Sequence, residues 1–277
     1  MKTFQMSYKF LIKVVISLFF LIGVSLKIDF ASLLKALLSI DLKYYLISLL
    51  IPIANNIVLA QKYKIAMKPS GVHQPLSNLI KINFICHFYS MFLSSFIGQS
   101  VVRWHMSTKN QEGRIKFIAV MFFERSTFFF ILLLALTVTL KISANQITDK
   151  IFDTVYPFLL TGMSCLIIFY SYLNFTFFFN FAKRVLIIIK KKNTFIILTK
   201  LNSFINSFSI FEGKLNILTS TLFLSIVWHL FFLFRVYLLV LSLAIPLDFI
   251  NISWMASFVL FFQILPISFN GIGVREA

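Results

Sequence analysis

Apolar residues in this chain fall in long runs, separated by short polar connections that collect most of the lysines and arginines. A bilayer core asks for about 20 mostly apolar residues per helix. Seven segments approach that length: residues 10–26, 42–61, 79–98, 117–140, 155–180, 215–245 and 252–269. The pattern predicts an all-α fold, a polytopic membrane helix bundle in which residues 1–277 form a single transmembrane domain. The sixth run is long enough to tilt or to continue along the interface. Between the fifth and sixth, residues 181–214 alternate Lys183, Arg184, Lys190, Lys191 and Lys192 with apolar runs at 185–189 and 195–198. That alternation suits basic amphipathic helices lying on a membrane surface.

One short pattern occurs twice at the end of an apolar run, as Ser95-Phe96-Ile97-Gly98 before Val102-Arg103 and as Ser268-Phe269-Asn270-Gly271 before Val274-Arg275. Each copy puts helix breakers and an arginine at bilayer depth. Irregular polar backbone survives in hydrocarbon only where protein buries it or it lines a wet cavity. Paired interruptions in two halves of a chain mark inverted repeats around a ligand path. The expectation is that segments three and seven dip in and return, their unwound tips meeting near the midplane. Coincidence is the competing explanation, because Ser, Phe and Val are abundant and the two copies differ in spacing. The Lys and Arg residues of the connections divide 15 to 8 if every segment spans, and 17 to 6 if segments three and seven are re-entrant. The positive-inside rule favours the steeper division, which puts the N-terminal arm in the cytoplasm.

Composition removes the soluble classes, with 59% hydrophobic residues, 13% charged residues and a mean hydropathy of +0.91. The net charge of +17 sits mainly between apolar runs, where anionic lipid headgroups attract it; anionic phospholipid is the expected partner, and nucleic acid is not. Cys86 and Cys165 lie inside apolar segments without metal-ligand spacing, so neither a disulfide framework nor a zinc site is expected. Lys2, Lys9 and Lys13 precede an apolar run but no small-x-small cleavage site follows, which reads as a retained first helix. No phosphate-binding loop, paired metal-binding histidines or nucleophile elbow appears, and no cofactor or catalytic residue is expected.

The chemistry therefore rests on charges at depth, where an ionised group costs at least about 2.5 kcal/mol. Lys81, Arg103, Glu124, Arg125, Arg235, Arg275 and Glu276 qualify, five cations against two acids. A cationic excess suits an anionic headgroup, since guanidinium forks onto phosphate oxygens. Lys81, near a segment end, reads as snorkelling to the interface. Arg103 and Arg275 read either as interfacial anchors or as headgroup contacts beside freely accessible glycine amides. Glu124 and Arg125 are successive on one helix, so each is expected to find a partner elsewhere. For Arg235 the alternatives are a structural pair with Glu124 or a headgroup contact. His87 and His229 read as hydrogen-bonding within the bundle or as proton relays. His73 and His105 belong to connections.

The run Leu265-Pro266-Ile267-Ser268-Phe269-Asn270-Gly271-Ile272-Gly273-Val274-Arg275-Glu276 resembles the lysylphosphatidylglycerol synthase transmembrane-region family, also described as flippase-like. That family carries Pro-x-Ser-x-Gly-Gly-x-Gly-x-Arg-Glu here, and Asn270 replaces one glycine, a mild change because Asn tolerates left-handed backbone. A first family signature, Leu-Pro-x-x-x-Gly-Gly-Asp-x-x-Arg, is matched more loosely by residues 93–103: Gly98 and Arg103 carry over, while the proline, second glycine and aspartate are missing. Glu124-Arg125 stands where the family has Asp-Arg. The resemblance implies a multi-pass protein of the cytoplasmic membrane that moves or binds an anionic or aminoacylated phospholipid or a lipid-linked precursor. The expected headgroup contacts are Gly98, Arg103, Glu124, Arg125, Ser268, Gly271, Gly273, Arg275 and Glu276, which fall in the family's motifs, and Arg235, which rests on its depth alone. The resemblance supplies no synthase domain, so the chain is expected not to be an enzyme. Family members continue past the Arg-Glu motif, so the resemblance also implies a chain cut short at Ala277. The alternatives are a non-catalytic partner of lipid or glycan synthesis proteins, inactive through truncation, and a membrane enzyme acting on a lipid-linked sugar. The latter calls for clustered acids, whereas Asp29, Asp41, Asp149, Asp153 and Asp248 are scattered.

Overall fold

A computed structural model describes residues 29, 34–35, 37–90, 95–109, 113–143, 149–174 and 207–264. Among the described residues the chain is all-helical: α1 Leu42–Ala66, α2 Leu76–Ser90, α3 Ser95–Ser107, α4 Arg114–Ile142, α5 Asp149–Asn174, α6 Leu215–Ser242 and α7 Phe249–Ile264, with no strand. Short 3-10 turns follow α1 at Lys68–Ser70 and precede α6 at Ser209–Phe211. Among the described residues, three stretches are long and apolar enough to cross a membrane: Leu42–Ser70, Arg114–Ile142 and Leu215–Ser242. The first of the seven expected segments, the stretch from 175 to 206 and the second motif lie outside the described residues.

Local chemistry sets the ends. Beyond α1, Pro69 removes a backbone donor and Gly71 takes a left-handed φ of 77°, which turns the chain towards α2. Gly213, at φ 68°, precedes α6. Within the helices, the hydroxyls of Thr127, Thr137, Thr221, Ser225 and Ser253 donate to carbonyls one turn back, so these polar side chains need no water. Large apolar side chains such as Leu46, Leu50 and Ile53 on α1 and Phe223, Leu230 and Phe234 on α6 stand exposed, a surface that suits acyl chains.

The third expected segment is not one rod. It ends as α2 at Ser90 and resumes as α3 at Ser95, and the contacts between these helices run in opposite order along the chain. Gln74, ahead of α2, donates to the carbonyl of Ser107 at the end of α3 (2.9 Å). Asn83 meets Arg103 (3.1 Å), and His87 meets Gln99 (3.4 Å). The two helices are therefore antiparallel limbs of a hairpin. Limbs of 15 and 13 residues rise about 22 and 20 Å, short of a hydrocarbon core of about 30 Å. The first repeated motif departs from expectation: it is helical, on the returning limb, and Arg103 lies near the base of the hairpin instead of at its tip.

The chain divides into two compact units, residues 1–54, 84–102 and 231–277 in one and 55–83 and 103–230 in the other. In the first, the backbone N–H of Asp41 donates to the carbonyl of Ser242 (2.9 Å), tying the start of α1 to the end of α6, and the Tyr237 and Phe249 rings meet edge to face. In the second, Ala60, Tyr63, Ala66, Met67, Val72, Leu79, Phe117, Val120, Phe123 and Phe211 form a closed apolar core. Phe123 and Phe211 stack at 4.1 Å, and α4 packs along α5. The turn at Lys68–Ser70 packs on both the start of α4 and the turn at Ser209–Phe211. Gly113 permits the first of these contacts, because a Cβ there would sit 2.4 Å from the Ser70 carbonyl oxygen and 2.7 Å from Val72 Cγ2. The connections carrying Lys68, Lys109 and Lys214 thus gather at one end of this unit. Alternation of fully spanning segments would have separated them. Segment three instead turns back as a hairpin between two of these connections.

Candidate functional site

Helical phase brings the polar groups of the second unit together. On α1, Asn56 and Tyr63 lie two turns apart on one face, with Lys62 beside them. All three are buried, as are Asn83 on α2, Arg103 on α3 and Glu124 on α4; Lys62 is 2% exposed and Glu124 3%. The ammonium of Lys62 donates to Glu124 Oε1 (2.9 Å) and to the Glu124 carbonyl (3.1 Å). Its Nζ also lies 5.9 Å from the centre of the Phe128 ring. The Tyr63 hydroxyl donates to Glu124 Oε2 (2.7 Å) and accepts from Arg103 (2.8 Å), so one oxygen links the acid to the guanidinium. Arg103 also donates to Asn83 Oδ1, and its guanidinium lies 4.3 Å from the centre of the Tyr63 ring. Asn83 in turn approaches the Asn56 carbonyl at 3.4 Å.

This network holds two buried cations against one buried anion, a surplus of one positive charge if all three are ionised. Charges leave water only when compensated; here Lys62 pairs with Glu124, and Arg103 is held by hydrogen bonds to Tyr63 and Asn83. The side-chain amide of Asn56 stands apart: both its oxygen and its nitrogen are buried with no hydrogen-bond partner among the described residues. No group of His, Cys, Asp and Glu suited to a metal ion occurs among the described residues.

The residues expected to contact a headgroup are therefore distributed unevenly. Arg103 and Glu124 join through Tyr63, and Arg125, partly exposed, approaches Glu124 Oε2 at 3.8 Å. Glu124 thus finds its hydrogen-bonding partners elsewhere, in Lys62 and Tyr63, as expected of successive residues on one helix, and Arg125 adds only a longer approach. Gly98 lies half-buried on α3. Arg235 is exposed on α6, and the acid once considered for it is engaged by Lys62 and Tyr63. Ser268, Gly271, Gly273, Arg275 and Glu276 lie outside the described residues. Lys81 and His87 are exposed, whereas His229 is buried. Sequence reasoning missed Lys62, Tyr63, Asn83 and Asn56. Lys62 was counted among the charges of a connection, although consecutive asparagines inside an apolar run, Asn55 and Asn56, already signalled a polar face.

At the basic end of the same unit a groove of about 500 Å³ is lined by Lys64, Met67, Lys68, Val72, His73, Gln74 and Pro75. Gln74 joins it to the hairpin through the Ser107 carbonyl.

Compared with known families, residues 10–277 match the one described as Lysylphosphatidylglycerol synthase TM region. The chain belongs to that family. The match takes in every described helix as well as both copies of the repeated motif, and it makes this a membrane protein. Compared with curated proteins and with solved structures, the chain has no match.

Proposed function

We propose that this protein binds an anionic or aminoacylated phospholipid, or a lipid-linked precursor, and moves it across the cytoplasmic membrane. The observation that carries the reading is Arg103, mounted on the short returning limb of a helical hairpin within a buried network of two basic side chains and one acid. Limbs too short to span leave a path that a polar head can enter from one leaflet. The gathered lysines of the second unit favour the cytoplasm for the end at which the hairpin opens. The reading assigns the protein no chemical step.

The test is the full chain reconstituted in phosphatidylcholine vesicles with fluorescent phosphatidylglycerol or its lysyl ester in both leaflets. Faster loss of inner-leaflet signal to a membrane-impermeant quencher than in protein-free vesicles is expected. No movement of any anionic or aminoacylated lipid removes the proposal. A second reading, a non-transporting partner of a lipid or glycan synthesis protein, is favoured by the way Lys62 and Tyr63 satisfy Glu124 without any ligand. Copurification with a synthase, together with unchanged lipid sidedness after deletion of the gene, supports that alternative.

A further inference from the structure

We infer that the groove between the end of α1 and the start of α2 is a separate loading site for the phosphate of an anionic bilayer phospholipid, outside the buried network. Lys64 and Lys68 stand exposed at the groove, His73 adds a third group able to carry positive charge, and no acid lines it. Neither lysine forms an ion pair among the described residues. The volume of about 500 Å³ lies within the range of small-ligand sites. Pro75, exposed at the groove over buried Met67 and Val72, gives it an apolar edge beside which a glycerol backbone can lie while the phosphate meets the ammonium groups.

Position decides between a lipid and a free phosphate ester. The groove lies at the end of the membrane-length stretch Leu42–Ser70; a helix of that length, if it spans, ends at the headgroups, where a lipid held by its own tails pays little to arrive. Gln74 connects the groove to the hairpin base through the Ser107 carbonyl, and Arg103 lies about 6 Å of helical rise from that end. A headgroup resting at the lysines is therefore beside the limb that carries the buried arginine. The inference rests on the lipid reading for this order of events, not for the binding itself.

The test places the full chain in phosphatidylcholine nanodiscs doped with photoactivatable phosphatidylglycerol or photoactivatable phosphatidylcholine, and reads labelling of residues 64–75 by mass spectrometry. The anionic probe is expected to label this stretch and the zwitterionic probe is not. Apparent affinity for the anionic probe should fall about fivefold for Lys64→Gln or Lys68→Gln alone and about thirtyfold for both, with recovery in the paired Arg variants and with added salt mimicking the loss. Equal labelling by both probes, or wild-type labelling in the double Gln variant, overturns the site. Displacement by soluble glycerol phosphate overturns the lipid assignment in favour of a free phosphate ester. Labelling without transbilayer movement keeps the groove and removes the translocation reading. Wild-type movement by the double Gln variant, unlabelled at 64–75, keeps the groove as a binding site but removes its loading role and leaves translocation standing.

Discussion

Helices α4 and α6 have nearly the same mean hydropathy over their most apolar windows, 2.0 and 2.1, yet 56% of that window is buried in α4 and 22% in α6. Each carries an ionisable residue well inside its length. Glu124 on α4 is enclosed with Lys62 and Tyr63, while Arg235 on α6 is exposed. Hydropathy reports whether hydrocarbon tolerates a helix. It says nothing about whether protein or lipid surrounds it, and that difference determines what an embedded charge costs and what it can do.

Substitutions can break or sharpen this contrast. Glu124→Ala strands the Lys62 ammonium in the protein interior and is expected to cost about 3–5 kcal/mol in equilibrium unfolding of the detergent-solubilised chain. Adding Lys62→Met to Glu124→Leu should recover most of the loss, because the uncompensated charge goes with its partner; failure to recover would mean that the pair does more than neutralise itself. Next in size, Arg103→Lys keeps the charge but loses the fork that reaches both Tyr63 and Asn83. A loss of about 2 kcal/mol is expected in the same unfolding measurement, along with slower lipid movement in vesicles. Asn56→Leu removes two buried polar atoms that lack partners and should raise stability by about 1 kcal/mol; a fall would show that something in the membrane satisfies the amide. Smallest, Arg235→Gln should change stability by less than about 0.5 kcal/mol. A loss there as large as that of Glu124→Ala would erase the distinction between the two helices.

The helices were legible because long apolar runs have few alternatives in a bilayer: α1, α4, α5, α6 and α7 overlap the expected segments throughout most of their length. The turning back of segment three was legible in part, since the placement of Lys and Arg favoured its two flanking connections sharing a side; the second motif, expected to end segment seven in the same way, lies outside the described residues. The break within segment three was not located, because residues 79–98 are apolar on both sides of it and α3 continues straight through Gly98. The network was half legible. Arg103 and Glu124 stood out as charges inside apolar runs, but their link is a tyrosine, a residue common in such runs and uninformative until helical phase and tertiary packing bring it to the acid. Lys62 was hidden for a different reason: it follows the apolar run by one position, where composition cannot distinguish a snorkelling lysine from a buried one.

The contact between Gly113 and Ser70 has a consequence for the groove, because Val72 belongs both to its wall and to the space that a side chain at Gly113 would claim. A single methyl added there would wedge the start of α4 away from the turn and shift the lysines relative to Gln74. The width of the groove is thus gauged by an atom that is missing, on a helix whose residues do not line it.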